Sequence, residues 1–197
     1  MTPAVSKSVV THPKGGPVPN GFRVRRDLPL GRHPVLEAFP GLDRLETAAR
    51  HEPDATKRAE LHRSTQLELV PDDIWMYVAP FEVPKGSRPG WKPVVSPETD
   101  CIVVGESHLR ESPDLILFLD IFHELCHIRQ RHAGAELWDR RFSYTERPTE
   151  VEAYRFVVDE ARLLGVGDDV LRDYLHVEWI DDDEFHQLLQ KMGVAVS

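Results

Sequence analysis

"PDLILFLDIFHELCHIRQRH" spans residues 113–132 and carries apolar side chains nearly all the way round through Ile128. A run with so little polar stripe predicts a helix that passes through the core instead of lying on a surface. Its start is marked three times over: Ser112 offers a capping hydroxyl, Pro113 suits the first helical position, and Asp114 suits the positive end of the helix dipole. Three polar side chains interrupt the apolar run within His123-Glu124-Leu125-Cys126-His127. Each costs roughly 1–3 kcal/mol if buried without a partner, so the interior has to satisfy them together.

A divalent metal would do that. Residues four apart share a helix face, so His123 and His127 can aim two imidazole nitrogens at one ion. Glu124, one position further on, stands beside that ion, where its carboxylate can take a proton from water instead of ligating. Ile121, Phe122, Leu125, Cys126 and Ile128 surround the motif with apolar neighbours that keep it dry. The alternative is a buried helix holding two hydrogen-bonded histidines and no metal.

A catalytic zinc site has three protein ligands and an open position. A third histidine at the metzincin spacing falls at Ala133, with Gln130 in place of the expected glycine, so that pattern fails. Cys101 lies in "TDCIVVGE" without a glycine-rich context, which weighs against a cysteine ligand. Downstream, "TEVEAY" offers Glu150 and Glu152. Thr149 and Glu152 have capping-box spacing, which would give Glu152 a structural task. Glu150 shares a face with Ala153, Tyr154, Val157, Ala161 and Leu164, the face expected to meet the core helix. Glu150 is the favoured third ligand, with Glu152 the alternative.

Outward from this centre, "DIWMYVAP" (73–80) and "DCIVVGES" (100–107) read as strands, and "PTEVEAYRFVVDEARLLG" as a helix ended by Gly165. Residues 41–69 carry two helical patterns, the second opened by Asp54, and "DDVLRDYL" and "DDEFHQLLQKMG" carry two more. The acids at 181–184 read as a solvated helix start, not a metal cluster. Residues 1–34, rich in Pro and Gly, read as an extended or disordered arm, and 35–197 as a single domain. The arm and the tail "FHQLLQKMGVAVS" are the two segments able to cover a cleft, although the plain reading of the tail is a helix packed on the domain.

With 197 residues, 41% hydrophobic and 29% charged, the chain has the composition of a soluble globular protein able to bury a core without staples. No apolar run approaches the roughly 18 residues of a membrane span, and the first twenty residues lack a signal-like apolar core. Two cysteines, Cys101 and Cys126, are too few for a disulfide framework, so cytoplasmic residence is expected. The net charge of −9 weighs against a nucleic-acid partner.

"HELCH" together with "EVEAYRF" resembles the gluzincin branch of the zincin-like metallopeptidases, including the minimal gluzincins and the ImmA/IrrE-type peptidases, over about residues 113–165. The resemblance implies an α+β fold: a small twisted, mainly antiparallel sheet packed on an active-site helix and a following glutamate helix. It implies Zn2+ held by His123, His127 and Glu150, with Glu124 as the general base, acting on a peptide or protein substrate. It also implies that "DCIVVGES" is an edge strand to which an extended peptide can add. Cys126 stands where the ImmA/IrrE type has Gly, Arg131 where it often has His, and Tyr154 where it has Asn. Candidates for stabilising the oxyanion are Tyr144, Tyr154, His132 and His176. Two other functions compete: a regulatory or scaffold protein that keeps the zinc site without proteolysis, and a three-histidine endonuclease, which His132 fits poorly by its spacing.

Overall fold

The computed structural model describes residues 16–19, 22–42, 73–80, 94–95, 100–177 and 179–196. The two helical patterns expected over 41–69 lie almost entirely outside the described residues. Four strands among those residues form one mixed sheet: β1 (Gly31–Pro34), β2 (Trp75–Ala79), β3 (Val94–Val95) and β4 (Cys101–Gly105), in the order β1-β2-β4-β3. Helices α1 (Val35–Ala38), α2 (Glu106–Glu111), α3 (Asp114–His132), α4 (Pro148–Leu163), α5 (Asp168–Leu175) and α6 (Asp182–Met192) complete it. The architecture is therefore mixed α+β.

Alternation along the two central strands sets the core face. Met76 and Val78 on β2, and Ile102 and Val104 on β4, are fully buried, while Trp75, Tyr77, Cys101 and Val103 on the other face are not. The buried side chains join Leu117, Phe118, Ile121 and Ile128 of α3 in one apolar cluster. Each fully buried Leu, Ile or Phe contributes roughly 1.5–3 kcal/mol, so this helix is a main support of the domain. The expected all-round burial of α3 is what the structure shows: only Asp114, Arg129, Arg131 and His132 escape it, near the helix ends.

One expectation, a mainly antiparallel sheet, is sharpened, and two need correction. The outer pairings of the sheet are antiparallel, but the central one, β2 with β4, is parallel, in register Trp75 with Cys101 through Ala79 with Gly105. β4 is not an edge strand either. Val94 and Val95 pair with Val103 and Ile102 on its far side, so a peptide cannot add there without displacing β3. Finally, the segment read as an arm enters the fold before residue 34. Phe22 packs on Phe39 and Phe118, Leu28 is fully buried, and Gly31–Pro34 pairs with β2. Arg26 donates to the Leu109 and Arg110 carbonyls and pairs with Asp114, tying this segment to the junction of α2 and α3.

The start of α3 differs in detail from its sequence signals. The helix begins at Asp114, and the Ser112 hydroxyl does not cap it but bonds Nδ1 of His108 at 3.0 Å. The other ring nitrogen of His108 meets Asp120 Oδ2 at 2.8 Å, so an imidazole on α2 outcompetes the helix end for the hydroxyl. At the far end, Asp100 holds both Arg131 and His132 against the entry to β4.

Gly165 ends α4 as expected, with φ +81 and a bond from Val166 N–H to the Ala161 carbonyl. Asp181 caps α6 in a complete capping box with Glu184, as the run of acids implied. The C-terminal helix packs on the domain through buried Leu188, Leu189 and Met192, and Lys191 donates to the Thr145 carbonyl. No helix among the described residues is long and apolar enough to cross a membrane.

Candidate metal centre

Helix α3 delivers His123 and His127 one turn apart, and the first turn of α4 brings Glu150 against them. All three are at least nine-tenths buried. The Nε2 atoms of His123 and His127 stand 3.0 Å apart, and each lies 3.4 Å from Oε2 of Glu150. The two rings meet edge to face at 83°. Among the described residues this is the one cluster of three or more His, Cys, Asp or Glu whose donor atoms converge in this way.

The spacing suits a tetrahedral ion. Donors about 2.0–2.1 Å from such an ion are separated by about 3.3 Å, close to all three distances here. A second observation concerns Glu150 Oε2, which is fully buried yet accepts no well-formed hydrogen bond from the described residues. A buried carboxylate oxygen in that condition is costly unless a cation or proton serves it. The donor set of two imidazoles and a carboxylate, all neutral or hard enough for zinc, fits that ion.

The electrostatics agree with a cation-binding arrangement. Burial alone would raise the Glu150 pKa, but the adjoining imidazoles outweigh it and hold the carboxyl below its usual range. Burial also works against charge on His127, and again Glu150 wins, raising His127 to about 9. Glu124 is buried in the same place; its charge is felt by His127 and by Tyr144 and Tyr154, but it is not one of the three converging donors.

The sequence argument for Glu150 rested partly on a capping box that does not form. Thr149 Oγ1 donates to the Leu137 carbonyl, and the cap position of α4 falls at Arg147 without a side-chain bond. The periodicity argument fares better, since Glu150, Ala153, Tyr154, Val157 and Ala161 are all buried. Glu152 points elsewhere, accepting bonds from Arg129 and Gln130 at 2.8 and 2.9 Å.

Of the oxyanion candidates, Tyr154 packs against His123 with ring centroids 4.5 Å apart and the planes tilted by 59°, and its hydroxyl meets that of Tyr144 at 2.8 Å. Burial pushes both phenols well above their ordinary pKa, so they stay neutral donors. His132 is occupied by Asp100, and His176 is exposed with its ring against Phe185.

Two neighbours of the centre were not singled out from the sequence. Gln130 accepts from His127 Nδ1 at 2.8 Å, and Arg147 NH1 approaches Glu150 Oε1 at 3.5 Å. For Gln130 a signal existed: it is a polar residue one turn beyond His127 on a helix predicted to be buried. Arg147 had none, because its approach depends on how the loop after α3 returns. Comparison with known protein families, with curated protein sequences and with solved structures returns no match to this chain.

Proposed function

We propose that this chain is a zinc-dependent peptidase of zincin-like fold, with His123, His127 and Glu150 as the metal ligands and Glu124 as the general base. The observation that carries the reading is the convergence of three buried donor atoms, spaced 3.0 to 3.4 Å, from two helices, with a second buried acid, Glu124, next to His123 in the chain and outside the trio. A bound zinc supplies Lewis acidity, polarising a scissile carbonyl and making water a better nucleophile at neutral pH. Glu124, a buried carboxylate next to His123 in the chain, takes a proton from the attacking water and returns it to the leaving amine nitrogen. Tyr144 and Tyr154, neutral and adjacent, are the donors nearest to hand for the developing oxyanion. Two unpaired thiols, Cys101 and Cys126, suit a reducing compartment, here taken as the cytoplasm.

Purified full-length protein tests the reading. Elemental analysis should find one zinc per chain, a generic peptide mixture should be cleaved, and Glu124→Gln should keep the zinc while losing the cleavage. A hydroxamate should bind the zinc-loaded protein, because the fourth position is open. Protein purified without zinc that also fails to take it up, or a Glu124→Gln variant with full turnover, overturns the assignment.

A further inference from the structure

We infer that Gln130 is a positioning residue for the metal centre: it fixes the tautomer of His127 and so aims that ring's Nε2 at the point shared with His123 and Glu150. The inference rests on the metal reading above and deepens it.

The geometry around Gln130 leaves its amide no freedom. The side chain is buried, and its Nε2 lies 2.9 Å from the Thr149 carbonyl and 2.9 Å from Glu152 Oε2. Both partners only accept, so the two amide hydrogens are committed to them. Turning the amide over would set its oxygen against a carbonyl and a carboxylate at once. The oxygen must therefore face His127, and an amide oxygen only accepts. It follows that Nδ1 of His127 carries the proton, and that Nε2 is the nitrogen presented to the other two donors. A ligating imidazole commonly needs such an anchor on its other nitrogen.

The anchor is itself held. Glu152 keeps its second oxygen on Arg129 at 2.8 Å, so the series runs Arg129, Glu152, Gln130, His127 across the α3–α4 interface. Arg129 and Glu152 are well exposed, and their pair contributes little stability on its own. Its effect is directional, because it sets which face of the Gln130 amide meets His127. The residue that competed with Glu150 as a ligand is thereby assigned to orienting one.

The test measures zinc affinity by chelator competition and records two-bond 1H–15N spectra of the histidine rings in the zinc-loaded full-length protein. Gln130→Ala should weaken zinc by about 10–100-fold. It should also remove the slowly exchanging, hydrogen-bonded Nδ1 proton of His127. Glu152→Ala should move both readouts the same way but less. Gln130→Met keeps the length of the side chain without its amide, and should lose as much affinity and the same Nδ1 proton signal as Gln130→Ala while staying closer to wild type in thermal stability. Unchanged affinity and an unchanged ring spectrum in Gln130→Ala overturn the positioning role while leaving the metal centre standing. So does a Gln130→Met variant that keeps wild-type affinity and ring spectrum, because any loss in Gln130→Ala would then come from packing. Failure of the wild-type chain to take up zinc overturns the metal centre, and this inference with it.

Discussion

Two histidine–carboxylate groups sit less than one helical turn apart along α3, and they are built to opposite ends. At the first, His108 spends Nε2 on Asp120 and Nδ1 on Ser112, and the Tyr174 hydroxyl adds a further bond to Asp120. The ring's two nitrogens are both accounted for, so nothing remains to recruit an ion. At the second, His123 and His127 turn Nε2 toward each other and toward a carboxylate oxygen that accepts no well-formed hydrogen bond from the described residues. An imidazole beside a buried acid is therefore not the signature of a metal site; convergence of the lone pairs is. A third buried acid, Glu160, completes the contrast. Its Oε2 has no hydrogen-bond partner among the described residues, burial is the first cause of its raised pKa and the Asp159 charge the second, and it is pushed up to about 8. It stays neutral where Glu150 stays charged.

The largest expected difference between the first two groups is in turnover. Changing Glu124→Gln should cut peptide hydrolysis by about 10²–10⁴-fold, whereas the same carboxylate-to-amide change at the other group, Asp120→Asn, should leave it within about threefold. Comparable losses in both would mean that the groups act as one unit. Next comes metal affinity: Glu150→Ala removes a proposed ligand and should weaken zinc by more than about 100-fold, beyond what an outer partner contributes. Asp120→Ala should leave zinc stoichiometry alone and lower folding stability by about 1–3 kcal/mol, because it removes a buried acceptor from half-buried His108. Chemical denaturation read beside chelator competition separates the two effects.

The proton inventory gives two smaller predictions. His127 sits at about 9 without metal, so zinc must displace a proton from it at every lower pH. Apparent zinc affinity should accordingly fall by about tenfold for each pH unit below that value, flattening above it. For Glu160 the folded pKa is raised above the unfolded one, so its stabilising share is complete below about pH 4.5 and is lost as pH rises through about 8. Glu160→Gln should remove a slope of at most about 1.4 kcal/mol per pH unit across that window. A stability–pH curve identical to wild type would show that Glu160 ionises freely in the fold.

How much of this was legible in the residues depends on whether the cause was local. The α3 pattern, the two central strands and the Gly165 stop follow from periodicity and backbone preference, and they stand in the structure where the sequence places them. Placing Glu150 at the cluster followed from the apolar face it shares with Ala153 and Val157. What failed were local rules overridden by distant partners. Thr149 and Glu152 have capping-box spacing, but Leu137, Gln130 and Arg129 claim their side chains. Ser112 has a capping hydroxyl, but His108 takes it. "GRHP" at 31–34 falls inside the stretch read as an arm from its Pro and Gly content, and becomes a strand because β2 offers it an edge.

The clasp between Arg26 and the α2–α3 junction has a consequence for biosynthesis. Its two halves are separated by 83 to 88 positions, so the amino-terminal segment leaves the ribosome long before the carbonyls and acid it must grip exist. Phe22, Leu28 and the β1 strand wait, unsatisfied, for a helix still being translated. Nascent chains of this protein should therefore expose apolar surface until Phe118 has cleared the exit tunnel, and expression trimmed to begin at residue 35 should yield aggregates, since it discards a wall of the hydrophobic interior along with the tether.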